Sequence, residues 1–376
     1  MEQKRIMILG GYGNTGLPTA RLLLKYSPAN IIIAGRNLNK AISTAGGLNA
    51  EFEGERASAA LVDASSPESL ANGLKAIGLL VVTSSTVQYA ETVARAAVAA
   101  GADYFDVQYS SPKVKALQAL QNQIEENGRC FITDGGFHPG LPAALVRYAA
   151  PAFDRLSNAV VGSVIQVDWR SLEFSPSTIE ELVSEFVNFE NKVFKNGQWQ
   201  PGGVLSWLIP RWFQFSHGFG RRYCVPMFLG EMGPLPQHYP DLVETGFFVG
   251  GFNWFTDWFI TPLTMILPRV FKSRGLGWSG RLMYWSLRKF SKPPYGTLLK
   301  LEAGGQKDGQ EKRLEVSVYH RDGYELTAIP AAACILQYLD GTIRKPGLFY
   351  QALAVEPGRL VDDMERMGVE ITRVEK

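Results

Sequence analysis

Residues 6–16, IMILGGYGNTG, restrict what this chain can fold into more than any other stretch. A short apolar run leads straight into glycines, and a helical pattern follows over residues 17–25. A continuously apolar run of this length suits a parallel strand covered on both faces. Gly11, Gly13 and Gly16 form GxGxxG between that strand and that helix. In this pattern the first glycine permits a tight turn, the second lets the backbone approach a pyrophosphate, and the third lets helix and strand pack closely. The phosphates then meet a helix N-terminus, where free N–H groups and the helix dipole favour anions. Gly10, Tyr12, Asn14 and Thr15 complete the cradle, and Asn14 and Thr15 add side-chain donors. An ordinary glycine-rich βα turn is the alternative reading.

Strand-like runs recur at 31–34, 60–64, 78–84, 104–108 and 129–134. The alanine-rich helix pattern after Tyr89 stops at Gly101, a C′ position. A second pattern starts near Pro112, carries Val114, Leu117, Leu120 and Ile124, and stops at Gly128. Such alternation predicts an α/β chain: a Rossmann-type doubly wound parallel sheet, with ligands at the carboxyl ends of its strands. The expected organisation is a dinucleotide-binding domain over 1–144, an inserted α+β substrate or dimerisation domain over 145–326, and a return segment over 327–376 that packs on the first domain.

The strand ends name the nucleotide. Sites that prefer NAD place an acidic residue at the end of the second strand to bind the ribose 2′-hydroxyl. Here Gly35, Arg36 and Asn37 stand at that place. A guanidinium binds a 2′-phosphate where a carboxylate would repel it. Gly35 leaves space, and Lys40 is a second cation one turn on. The pattern therefore predicts NADP rather than NAD, with a solvated loop arginine as the alternative. Asp63 and Ala64 end the third strand, within reach of an adenine edge. Ser84, Ser85, Thr86 and Val87 follow the fourth and line the nicotinamide ribose. Asp106 and Gln108 end the fifth and are placed to orient the cofactor amide.

Several segments together resemble the saccharopine dehydrogenase/reductase-like family: GGYGNTG, then VTSSTVQYAETVARAAVAAGADYFDVQ, then DGGFHPGLPAAL, and near the C-terminus YELTAIPAAACILQYLDGTIRKPGLF. The resemblance covers about the first 145 residues and 322–376. It implies an NADP-dependent oxidoreductase, often one that reduces an imine made from an amine and a carbonyl compound. It does not extend to the carboxylate-binding arginines of amino-acid substrates, because the central region departs from the family pattern.

That central region is unusual. Seven of the eight tryptophans fall within 199–285, inside an aromatic-rich stretch over 203–290. Residues 245–268 contain a single charge, Asp257, and from Trp258 to Leu301 there are eight Lys and Arg with no Asp or Glu. Three readings fit: a buried helix pair with a basic outer face, an interfacial segment on an anionic membrane surface through 245–292, and a membrane span. Asp257, the Gly250-Gly251 pair and Pro262 weigh against the span. Around it lie a strand over 159–169, an amphipathic helix over 178–190 with Thr178 and Glu181 as a capping box, a hairpin at Asn196-Gly197, and another over 298–320. The C-terminal stretch reads as strand, helix and strand. Leu360, Val361, Met364 and Met367 form the helix's apolar face and Gly368 its stop, and the segment is compatible with a homodimer.

For catalysis a proton donor near the cofactor is wanted. His138, in the GGFHPG turn at the exit from the first domain, and Tyr109, just past the fifth strand, are the candidates. Each also fits a purely structural role. His217, His238 and His320 show neither a nucleophile partner nor metal-ligand spacing, and no metal site is expected. The three cysteines form no CxxC pair. Together with an N-terminus that already belongs to the fold, this suggests a cytoplasmic protein, membrane-associated if the interfacial reading holds. The net charge of +2 offers no general attraction for nucleic acid. The expected partner is a small molecule, hydrophobic if the aromatic region binds it. The expected function is NADP-dependent hydride transfer involving an imine, carbonyl or lipid-like substrate. The alternative is a membrane-associated nucleotide-binding scaffold without turnover.

Overall fold

The computed structural model describes residues 4–170, 190–201 and 211–376, without the side chains of 265, 266, 268–274 and 276. The helix expected over 178–190 therefore lies almost wholly outside the described residues. The chain forms two compact units. One comprises Met1–Tyr148 with Tyr324–Val369, the other Ala149–Gly323 with Glu370–Lys376.

The first unit holds a seven-stranded parallel sheet. Its strands are β1 (Arg5–Leu9), β2 (Asn30–Gly35), β3 (Ala57–Leu61), β4 (Leu79–Val82), β5 (Asp103–Asp106), β6 (Cys130–Thr133) and β15 (Gly347–Tyr350). The order is β15-β6-β5-β4-β1-β2-β3, and every pairing is parallel. The doubly wound parallel sheet is therefore present as expected. Ile6, Ile8, Ile31, Ile33, Leu80 and Val81 are fully buried, which is why these strands read as unbroken apolar runs. Helices α1 (Gly16–Tyr26), α2 (Leu38–Glu51), α3 (Pro67–Gly73), α4 (Ala90–Ala100), α5 (Ser111–Ala119), α6 (Gln121–Glu126) and α7 (Pro142–Ala149) follow the strands. Chain order reverses between β1 and β4, and ligands bind at such a switch point.

Three local expectations shift. The third strand spans 57–61, not 60–64, because the Asn49 amide bonds both the N–H and the carbonyl of Ala57 and draws the chain into register there. Asp63 and Ala64 consequently lie beyond the strand. The fifth strand stops at Asp106, and the helix expected over 111–127 breaks at Leu120 into α5 and α6. The return segment divides between the units. Helix Gly323–Leu339 is largely buried and leads to β15 at the edge of the parallel sheet, followed by helix Pro357–Arg366. The final strand β16 (Glu370–Glu375) instead pairs with β14 (Gln310–His320) in the second unit.

The second unit is built on a nine-stranded mixed sheet. Its members are β7 (Arg155–Gln166), β8 (Lys192–Lys195), β9 (Gln198–Pro201), β10 (Arg211–Phe215), β11 (Gly220–Met227), β12 (Glu244–Gly250), β13 (Gly296–Lys307), β14 (Gln310–His320) and β16. Asn196-Gly197 turns the β8–β9 hairpin with φ of 52° and 82°, and Asp308-Gly309 turns β13–β14 with 51° and 76°. Both pairs adopt the left-handed conformations that tight hairpins require.

The apolar run 245–268 is not one helix. Its first part is β12, which ends at Gly250. Gly251 then lies so close to Asp257 that a Cβ would meet the carboxylate at 2.1 Å. A π-helical turn Thr256–Ile260 leads into helix Thr261–Phe290. A straight 30-residue helix would hold Thr264 and Ser279 about 22 Å apart. Instead the Ser279 hydroxyl reaches the Thr264 carbonyl at 3.5 Å, and Thr256 Oγ1 donates to Ser286 Oγ at 3.0 Å. The segment therefore doubles back as a helical hairpin. Ile260, Met283 and Leu287 form its inner seam with Trp169. A helix pair is present, but it is not the buried one expected, since Trp254, Trp258 and Phe259 are exposed; no described helix is long and apolar enough to cross a membrane.

Candidate cofactor site

The turn after β1 is built for close approach. Gly10 has φ +92°, and a Cβ there would meet Ser84 N at 2.7 Å. A Cβ on Gly16 would meet the Gly10 carbonyl at 2.2 Å, and one on Gly11 the Ile8 carbonyl at 2.9 Å. The Gly10 N–H donates to Ala34 O at 2.8 Å and the Gly13 N–H to Gly10 O at 2.8 Å. This draws the loop down between β1 and β2. Among the described residues no side chain caps α1, α4 or α6, whereas α2, α3 and α5 are capped by Asn37, Ser66 and Ser110. Within α1 the Leu17 N–H donates to Gly13 O at 3.0 Å and Pro18 has none, so an anion here would be met by the N–H groups of the turn itself and by the helix dipole.

Tyr12 has a role that the glycine pattern does not reveal. Its hydroxyl accepts the Asn37 N–H at 3.2 Å, and a Cβ on Gly35 would lie 2.5 Å from that oxygen. The space left by Gly35 is therefore filled by Tyr12. Asn37 turns its side-chain oxygen to the Lys40 N–H at 3.0 Å, capping α2. Arg36 and Lys40 are exposed at the same corner. The Asp63 carboxylate accepts the N–H and hydroxyl of Ser65 at 2.9 and 2.8 Å. These bonds hold its pKa below the usual carboxylate range, and Arg36 lowers it further. Ala64 belongs to the hydrophobic core rather than to an exposed strand end, so only its backbone can face a ligand.

Beyond β4, Thr83 donates its N–H to Leu9 O at 2.9 Å, which ties this loop to the end of β1. Ser84 and Thr86 share a hydroxyl contact at 3.1 Å, and Val87 opens a short 3₁₀ turn. Ser85 is exposed. Gln108 directs its Nε2 to the Ser84 carbonyl, and its Oε1 is buried without a hydrogen-bond partner among the described residues. An orphaned acceptor of this kind calls for a donor from a ligand or water.

Asp106 is not available to a cofactor. Its carboxylate accepts from Lys113 Nζ at 2.6 Å, from Thr133 Oγ1 at 2.7 Å and from the Gln108 N–H at 3.1 Å, and it is fully buried. Lys113 also meets Asp134 at 2.7 Å and the Gln108 carbonyl. Burial opposes its charge, but the two carboxylates outweigh that and raise its pKa. The ion triad locks together the loops after β5 and β6. Lys113 was not legible as a site residue, since in sequence it is simply a polar position in the first turn of a helix.

Tyr109 follows Gln108 on the same loop and is partly buried, as is His138 in the turn after β6. Burial lowers the His138 pKa to about 4. That turn is clamped by Gln351, whose amide accepts the Gly136 N–H and donates to the Gly136 carbonyl, both at 3.1 Å. In the second unit, His217 does pair, contrary to expectation. It bonds Ser216 Oγ and Glu370 Oε1, both at 2.9 Å, in an exposed turn.

Comparison with known proteins agrees with this geometry. Residues 6–132 match the family described as saccharopine dehydrogenase NADP binding domain. Among solved structures, the apo saccharopine dehydrogenase (L-Glu forming) of Saccharomyces cerevisiae superposes with a TM-score of 0.73. It is 14% identical, with 99% of this chain and 100% of that one covered. A DAP dehydrogenase of C. glutamicum in complex with DAP gives a TM-score of 0.47 at 13% identity, with 97% and 99% covered. At these identities the structures speak for the fold alone. No curated protein matches the sequence. The cradle, the switch-point position and the family match agree: residues 6–132 are a saccharopine dehydrogenase-type NADP binding domain on a Rossmann fold.

Proposed function

We propose that the protein is an NADP-dependent oxidoreductase that transfers hydride to or from a small imine, carbonyl or lipid-like substrate. The observation that carries this reading is the cradle of Gly10, Gly11 and Gly16, where a Cβ would lie 2.7, 2.9 and 2.2 Å from a neighbouring atom, at the start of α1 by the switch point. In this reading the backbone and side chains of Asn14 and Thr15 bind the pyrophosphate, and Arg36, with Lys40 beside it, binds the 2′-phosphate. Tyr12 shapes that corner. Asp63 and Ala64 border the adenine, and Ser84, Ser85, Thr86 and Val87 border the nicotinamide ribose. Gln108 offers Oε1 to the carboxamide N–H groups. The bound cofactor would supply the hydride in its reduced form or accept it in its oxidised form.

Asp106 then positions Gln108 through its N–H rather than touching the cofactor. His138 and Tyr109 are the proton-donor candidates. At a pKa of about 4, His138 is neutral at pH 7 and would donate through its N–H rather than as an imidazolium.

Titration of NADPH and NADH by fluorescence tests the cofactor assignment. Wild type should bind NADPH at least about tenfold more tightly, and Arg36→Ala should remove most of that preference, as expected for a lost charge-assisted contact. Equal binding of the two by wild type would overturn the assignment of Arg36. NADPH oxidation with imine, carbonyl and enoyl panels tests turnover. Tight binding with no oxidation across the panels would favour a nucleotide-binding scaffold.

A further inference from the structure

We propose that the helical hairpin over 254–290 is a membrane-surface anchor that rests its aromatic outer face among the headgroups of an anionic bilayer. The hairpin's inner seam is already satisfied by Ile260, Met283 and Leu287 packing with Trp169, so the outer aromatics are not required to complete that core. On the first arm Trp254, Trp258 and Phe259 are 65%, 61% and 58% exposed, and Leu263 follows them on the same arm. On the second arm Trp278 and Trp285 are exposed. Isolated exposed hydrophobic side chains are ordinary, but several large aromatics on one device mark an interaction surface.

The charges name the partner. Arg281, Arg288, Lys289 and Lys292 are exposed on or just beyond the second arm. Arg281, Arg288 and Lys289 recur with Trp278 and Trp285 at the three- and four-residue spacing of one helical face, and Lys292 follows just past the helix end. Lys289 lies 5.3 Å from the Trp285 ring centre. Amphipathic indole rings beside cations suit the boundary between acyl chains and phosphate headgroups. No acidic residue occurs between Trp258 and Leu301. The hairpin's one acid, Asp257, accepts the Phe252 N–H at 2.9 Å and packs against Gly251, so it adds little repulsion on the outer face. Lys300, part of the same basic run in sequence, is not on this surface: it is buried in β13 between Glu302 and Glu315. No described helix is long and apolar enough to cross a membrane, and a hairpin that exposes tryptophans beside cations fits a bilayer's surface.

The test is flotation of the full chain with vesicles of phosphatidylcholine alone and with about 30 mol% phosphatidylglycerol. The expected result is at least about tenfold stronger partition to the anionic vesicles, lost on raising salt from about 0.1 to 0.5 M. Tryptophan emission should shift to the blue and be quenched by brominated lipids. The R281Q/R288Q/K289Q variant should lose the anionic preference, and W258A/W285A should lose binding to both vesicles. Circular dichroism and NADPH affinity serve as the folding controls. Partition to anionic vesicles within about twofold of that to phosphatidylcholine would overturn the proposal. So would light scattering that shows a dimer of the 41.5-kDa chain abolished by W258A/W285A, because a second copy would then cover the face. Should a variant fail the folding controls, brominated-lipid quenching of the wild type still decides: no quenching overturns the proposal.

Discussion

The hydroxyl of Tyr12 lies where a Cβ on residue 35 would have to go, 2.5 Å from it, and accepts the N–H of Asn37. The glycine turn and the end of β2 are thereby one unit. Gly35→Ala should cost about 1–3 kcal/mol, the usual range for overpacking at a closed site. In a Tyr12→Ala background the same substitution should cost less than half of that. Urea unfolding of the two single variants and the double variant reads the non-additivity; additive costs would show that the contact is relieved elsewhere.

Among the described residues, Lys113 is the one cation shared by the buried carboxylates of Asp106 and Asp134. Lys113→Met leaves Asp106 and Asp134 facing each other without a cation and should destabilise by about 3–5 kcal/mol. The Gln108 loop loses an anchor at the same time, so NADPH affinity should fall in the fraction that remains folded. Denaturation and cofactor titration of the same sample check both effects.

His138 sets a pH slope on the acid side. Its folded pKa of about 4 lies below the ordinary 6.5, so the unfolded chain binds the proton more readily. The stability it contributes is complete above about pH 6.5 and falls as pH drops toward 4, by up to about 3 kcal/mol. His138→Gln should flatten that slope in urea titrations between pH 7 and 4.5.

Asp257 works in the opposite sense. Burial raises its pKa to about 7, against the pull of the Phe252 and Asn253 N–H groups and of Arg222. The folded chain then holds the proton better than the unfolded one. Stability should decrease as pH rises from about 4 through 7. Asp257→Asn keeps an acceptor for Phe252 and should be more stable than wild type at pH 8, on the order of 1–3 kcal/mol. Near pH 5 the two should differ little. A variant equally stable or weaker at pH 8 would show that solvent or a cation satisfies the carboxylate.

What the sequence by itself determined was local. Unbroken apolar runs become parallel strands because both faces are covered, and GxGxxG becomes a cradle because the backbone must pass where no Cβ fits. The left-handed turns at Asn196-Gly197 and Asp308-Gly309 follow from the same backbone logic. These features rest on neighbours within a few residues, so they can be read in one dimension. Tertiary structure decided what side chains from distant segments do to one another. Asp106 stands at a strand end in sequence, yet Lys113 and Thr133 take its oxygens away from any ligand. Gly35 suggests open space until Tyr12 fills it from 23 residues upstream. The run 245–268 reads as one hydrophobic element, but Gly250 and Gly251 stop a strand within it and the rest turns back on itself. Which of its aromatics face inward depends on where the second arm lands, and that follows from packing between arms rather than from spacing along either one.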